Sequence, residues 1–82
     1  MSGISKQMLE WAGAEIKKHD LVIEADIGDD VACITNGGGY IEEIQQHGER
    51  WIYTGDRSKS WPSFEKAVQA AIDDYEGDDV NG

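Results

Sequence analysis

The sequence predicts an α+β domain: a helix, a three- or four-stranded antiparallel β meander and a second helix, with both helices packed on one face of the sheet. Three observations carry this. Apolar residues recur at helical spacing near both ends of the chain. Between them, Leu21 to Thr54 breaks into short runs in which apolar and polar residues alternate, the period of a strand. The stretch Asn36-Gly37-Gly38-Gly39 interrupts those runs with a hairpin signal, because Asn-Gly readily takes the positive φ that tight hairpin turns need.

Each element has its own justification. Ser5 is placed to cap a helix running to about Lys18, with Met8, Leu9, Ala12 and Ile16 on one stripe and Trp11 on its flank. Gly13 lowers helix propensity and leaves room for a close approach to a sheet. Lys17, Lys18 and His19 complement the negative end of the helix dipole. Leu21 to Ile27 reads as the first strand, with Leu21, Ile23, Ala25 and Ile27 inward and Val22, Glu24 and Asp26 outward. Gly28-Asp29-Asp30 turns the chain into Val31 to Thr35, which is apolar on both faces and therefore central. In the third strand, Tyr40 to Gln46, Ile41 and Ile44 cannot share a face unless a bulge falls at Glu42-Glu43. Arg50 to Thr54 is the fourth strand, with Trp51 and Tyr53 on one face and Ile52 on the other. Gly55 to Pro62 reads as a polar loop. Ser63 caps the second helix, whose Phe64, Ala67, Val68, Ala71, Ile72 and Tyr75 follow the helical repeat without a miss, and Gly77 supplies a stop.

A chain of 82 residues makes one domain, 1–82, with loose ends expected at 1–4 and 78–82. A domain this short buries only about 60% of the surface of its unfolded chain, so its packing is consequential. Cys33 is the only cysteine, which excludes an intramolecular disulfide and a cysteine-based zinc site, and its apolar neighbours make it a small buried hydrophobe. With no apolar leader and no long apolar run, the sequence fits a cytoplasmic protein.

Charge is the outlier. Seventeen Asp and Glu face seven Lys and Arg, a net charge of −10. That balance argues against direct nucleic-acid or membrane binding and favours basic partners. The candidate contact residues are Glu24, Asp26, Asp29, Asp30, Glu42 and Glu43 in the strand region, and Asp73, Asp74 and Glu76 near the end of the second helix. The latter crowd the negative pole of the helix dipole, where a sequence under no other demand places Lys or Arg. Two readings stand side by side: a contact surface for a basic protein, or acidity that serves solubility.

Catalytic and cofactor chemistry finds no support in the motifs. The triple glycine lacks the Gly-Lys-Ser/Thr of a phosphate loop and leads into a strand. Asp26, Asp29 and Asp30 lack the ligand spacing and closing Glu of a calcium loop, so no metal or cofactor is expected. Glu42 and Glu43 point to opposite faces of a regular strand, which makes them a poor acid/base pair. His47 would have to meet Cys33 in space to form a nucleophile–base pair. The expectation is a protein without enzymatic activity.

Two resemblances add to this. The order helix, strands, helix resembles the double-stranded RNA-binding domain, and Ala67-Val68-Gln69-Ala70-Ala71 looks like part of that family's second helix. That family places lysines at the start of this helix; here Phe64 and Glu65 stand there with Lys66 alone, so the likeness implies a topology and not RNA binding. Small size, the acidic residues named above, a helix-flanked antiparallel sheet and the missing catalytic motif together resemble the small phage-encoded inhibitors of host defence, of anti-CRISPR and anti-restriction type. That resemblance implies a nucleic-acid mimic that blocks a basic, nucleic-acid-binding protein surface. The alternative is a structural or adaptor domain that self-associates, for instance as a homodimer.

Overall fold

The computed structural model describes residues 3–37 and 39–80, with the side chains of residues 40, 41 and 76–80 outside the described set. Helix α1 spans Lys6–Lys17 and α2 spans Phe64–Val80; between them lie β1 (Val22–Glu24), β2 (Val31–Thr35), β3 (Tyr40–His47), β4 (Arg50–Tyr53) and β5 (Asp56–Trp61). The sheet has five strands in the order β1-β2-β3-β4-β5, and every neighbouring pair is antiparallel. The expected three- or four-stranded meander is therefore a five-stranded one.

The added strand is the stretch that reads as a polar loop. Arg57, Ser58, Lys59 and Ser60 are all exposed, so β5 has no apolar face to betray it. Its register is also broken: Trp51 pairs with Trp61 but Tyr53 pairs with Asp56, so β5 holds more residues than β4 between those points. Arg50 ties the edge down, its Nε donating to Ser60 Oγ and its Nη2 to the Ser60 carbonyl at 2.9 Å.

Both helices contact the sheet, and one core joins them. Ala12 and Ile16 of α1 and Phe64, Ala67, Val68, Ala71 and Ile72 of α2 cluster with Ala32, Ile34, Ile44, Trp51 and Tyr53. Register places Ala32 beside Ile44 and Ile44 beside Tyr53, which puts these strand residues on one face. Trp51 meets Phe64 edge to face, with ring centroids 5.2 Å apart. Such a contact adds about 0.5–1.5 kcal/mol to the burial of the two rings.

The caps obey the local rules. Ser5 Oγ accepts the Met8 N–H at 3.2 Å, and Ser63 Oγ accepts the Lys66 N–H at 3.2 Å. Asn36 N–H donates to the Gly39 carbonyl at 3.1 Å across the β2–β3 hairpin, where Gly37 takes φ +85°.

Several expectations are corrected. The first strand is only Val22–Glu24; Ile27, expected inward, lies in a turn and is 65% exposed. The extra residue in β3 is Ile41 and not the Glu42-Glu43 pair, since Ile34 pairs with Glu42 while Thr35 pairs with Tyr40. Strand β2 is interior, but the middle of the sheet is β3. A Cβ on Gly13 would meet nothing within 4 Å, so this glycine permits no close approach. Helix α2 passes through Gly77 to Val80. Gly3 and Ile4 are tied down: the Ile4 N–H donates to the Asp29 carbonyl and the Gly28 N–H to the Ile4 carbonyl, each at 2.7 Å, and Ile4 is 1% exposed. The remainder of the expected loose ends, residues 1–2 and 81–82, lies outside the described residues.

Candidate functional site: two acidic surfaces

The face of the sheet turned away from the helices carries the first surface. Glu24 pairs in register with Cys33, and Cys33 with Glu43, so the three form a row across β1, β2 and β3. Paired residues share a face, and two strand spacings put the backbones of Glu24 and Glu43 about 10 Å apart. Glu24 is exposed and Glu43 half-buried. Glu43 accepts from Gln45 Nε2 at 2.9 Å, and Gln45 Oε1 lies 3.1 Å from His47 Nε2. The Cys33 thiol approaches Glu43 Oε2 at 3.9 Å. Burial, then the negative charges of Glu43 and Glu24, push that thiol above its ordinary value. Cys33 is thus half-buried on the open face, not a fully buried hydrophobe, and it addresses Glu43, not His47. A thiol held in its protonated form by burial and two carboxylates is the opposite of an activated nucleophile.

Asp26, Asp29 and Asp30 do not extend this row along a strand. They sit in the β1–β2 connection, all exposed. The Asp26 N–H donates to Asp29 Oδ2 at 3.2 Å, and the Asp29 N–H to the Asp26 carbonyl at 3.0 Å, so the carboxylate is part of the turn. Glu24, Asp26, Asp29 and Cys33 share a depression of about 580 Å³ with Leu9, Gly13, Ile23 and Ala25.

The second surface is one that the sequence does not announce. Glu42 lies past the bulge at Ile41, two residues from buried Ile44 in the regular part of β3, and so faces the helix side of the sheet in register with buried Ile34. There it accepts from Thr54 Oγ1 at 3.1 Å. Its Oε2 lies 2.6 Å, and Asp74 Oδ2 3.0 Å, from the position that a Cβ on Gly55 would take. Strand β3 and helix α2 thereby bring two carboxylates to one glycine. Tyr53 is the third party, its Cε2 2.8 Å from the same position. Burial, followed by the charges of Asp74, Asp56, Glu42 and Asp73, raises the Tyr53 phenol above its ordinary value. Asp73 accepts from Gln69 Nε2 at 3.3 Å. Asp56 accepts from the Ser58 backbone at 3.1 Å and from the Ser58 hydroxyl, and Lys59 stands 3.8 Å away; the Ser58 bonds, ahead of the lysine, hold its carboxyl below the usual range.

Tyr53, Gly55 and Asp56 are not among the contact residues that the sequence singles out. The signal that could have found them is Gly55-Asp56, a turn dipeptide that predicts a further hairpin strand and so places Asp56 back beside Tyr53. The dipole argument for Asp73 and Asp74 also changes. Since α2 continues to Val80, they stand before its last turn, where the dipole effect has faded. The Glu76 side chain lies outside the described residues.

Among the described residues no group of three or more His, Cys, Asp or Glu side chains is arranged to hold a metal ion, and no helix is long and apolar enough to cross a membrane. No family model matches the chain, and neither a curated protein nor a solved structure does.

Proposed function

We propose that this chain is a non-enzymatic binding protein that docks its carboxylate surfaces on a basic, nucleic-acid-binding protein and competes with the nucleic acid there, in the manner of the small acidic phage inhibitors it resembles. The observation that carries the reading is the Glu24–Cys33–Glu43 row on the sheet face away from the helices, with Asp26 and Asp29 beside it. Carboxylates fixed on strands are spaced at the scale of the strand repeat and can occupy a groove built for closely spaced phosphates. A net charge of −10 steers such an encounter from a distance.

The test immobilises the protein and presents the nucleic-acid-binding fraction of a bacterial lysate at low salt. Captured protein should be released both by salt and by duplex DNA, and capture should drop when Glu24→Gln, Asp26→Asn and Glu43→Gln are combined. Capture indifferent to DNA and to these substitutions would sink the reading.

One observation favours self-association instead: β1 is a free sheet edge, with Val22 49% and Ile27 65% exposed beside it. Sedimentation separates the two. A dimer that forms with rising concentration and persists in high salt supports the edge, and a strict monomer removes it.

A further inference from the structure

We propose that the free edge of the sheet at β1 takes an added strand from a basic partner, an extended segment in which basic and apolar side chains alternate. The inference rests on the basic-partner reading and deepens it, because it names the element that docks and the form of the partner's segment.

Three observations carry it. The first is that the two edges of the sheet are unlike. Alternate residues of an edge strand turn their N–H and C=O groups outward, and proteins guard such edges with basic side chains and bulges. Strand β5 is guarded in this way: Arg57 and Lys59 are exposed on it, its register against β4 is broken, and Arg50 is bonded to Ser60. Strand β1, the other edge among the described residues, has neither device. It pairs with β2 residue for residue, carries no Lys, Arg or Pro, and leaves Val22 49% exposed, with Ile27 65% exposed beyond its end.

The second is Gly13. It stands inside α1 in an ordinary helical conformation, where glycine costs about 1 kcal/mol relative to Ala, and a Cβ there would meet nothing within 4 Å. No neighbour inside the fold accounts for it. Gly13 lines the depression that it shares with Leu9, Ile23 and Ala25, so the missing side chain leaves room beside the open edge. A strand added to β1 has every second side chain on the side of Ile23, the helix side, and an apolar one there fills that room.

The third is charge. Ile23 pairs with buried Ile34, so Val22 and Glu24 lie on the opposite, open face. The remaining side chains of an added strand share that face. A basic one opposite Glu24, with Asp26 and Asp29 in the same depression, finds its counter-charge, and its aliphatic stem covers Val22. The same carboxylates decide against a second copy of β1, which would bring its own Glu24 and Asp26 to the seam and add another net charge of −10.

The probe is an Arg-Val-Arg-Val-Arg peptide with blocked ends, titrated into isotope-labelled protein and followed by backbone amide shifts. Its comparison is the same peptide with every backbone amide N-methylated, which keeps the charges and apolar groups but cannot pair as a strand. Shifts should centre on Val22, Ile23 and Glu24 and extend to Leu9 and Gly13. The methylated peptide should bind at least about tenfold more weakly, the scale of two lost backbone hydrogen bonds. Gly13→Leu, which fills the depression and favours the helix, should keep or raise the unfolding midpoint and still weaken the peptide at least about fivefold. Glu24→Gln should weaken it about two- to fivefold, the scale of one exposed charge pair, and Glu43→Gln less. Equal binding of the two peptides, an unchanged affinity in Gly13→Leu, or shifts centred on Glu43 would overturn the added strand and leave the basic-partner reading standing. The same β1 shifts produced by raising the protein concentration alone would overturn the choice of occupant in favour of a second copy. Failure of both peptides to bind would overturn the added strand, and the lysate capture then judges the basic-partner reading by itself.

Discussion

Glu42 and Glu43 are neighbours in β3 and serve opposite faces of the sheet. Glu42 pairs with buried Ile34 and accepts the Thr54 hydroxyl at 3.1 Å, whereas Glu43 pairs with Cys33 on the open face and accepts from Gln45 at 2.9 Å. One carboxylate is built into the closure of the β3–β4 ladder, and the other is offered outward. Their substitutions should therefore separate. Glu42→Ala should cost about 1 kcal/mol of stability, the usual net value of such a hydrogen bond, while Glu43→Gln should stay within about 0.5 kcal/mol of the parent. Urea denaturation midpoints distinguish the two.

Phe64 sits where α2 meets the sheet, 1% exposed and in edge-to-face contact with Trp51. Phe64→Ala should destabilise by about 3–5 kcal/mol, which in a domain this small approaches the whole margin. Ile4→Ala should cost about 2–5 kcal/mol, because this residue is as buried as Phe64. Thermal unfolding followed by circular dichroism checks both, and a neutral Ile4→Ala would show that the N-terminal tie is dispensable.

Two glycines should respond in opposite directions to the same substitution. Gly13→Ala meets no neighbour and gains helix propensity, so it should stabilise by up to about 1 kcal/mol. Gly55→Ala drives a methyl group into Tyr53 and two carboxylates and should destabilise by about 1–3 kcal/mol. Denaturation curves measured side by side decide it.

Alkaline pH should loosen the fold and wake the thiol. Cys33 and Tyr53 both have folded pKa values raised above their ordinary 9.0 and 10.0. A raised folded value means that the native state holds its proton more tightly than the unfolded chain. The stability these groups contribute is thus whole below the ordinary values and is lost as pH rises through the folded ones. Unfolding midpoints should fall above about pH 9 for that reason. Alkylation of Cys33 should need higher pH than a free thiol, and Glu43→Gln should move the profile back down, since it removes a negative charge beside the thiol.

The elements legible in the sequence are those whose pattern one face of burial imposes. Phe64, Ala67, Val68, Ala71 and Ile72 all enter the core as their spacing requires, and Trp51 and Tyr53 share a face opposite to Ile52. What escaped notice has physical reasons. Strand β5 buries neither face of its middle, so no alternation exists to be read; its strand character comes from pairing with β4. The bulge was one residue from its expected place, and a slip of one residue exchanges faces, which is why Glu42 and not a residue of the open row joins Asp74. Gly77 fails to stop α2 because a glycine costs a helix only about 1 kcal/mol. The meeting of β3 with α2 at Gly55 depends on residues far apart in the chain, and local periodicity contains no term for it.

The strand order has a kinetic consequence. Each strand pairs with the strand next to it in sequence, so no crossover must be threaded and no long loop must close before the sheet can grow. Hairpins of this kind form in microseconds, and a sheet assembled from them has low contact order. The docking of the two helices, which come from opposite ends of the chain and share one core with β3 and β4, should be the slower event, because it joins the residues farthest apart in sequence. Folding should accordingly be a single fast phase whose rate is sensitive to Ile44 and Trp51, and nearly indifferent to the edges at β1 and β5.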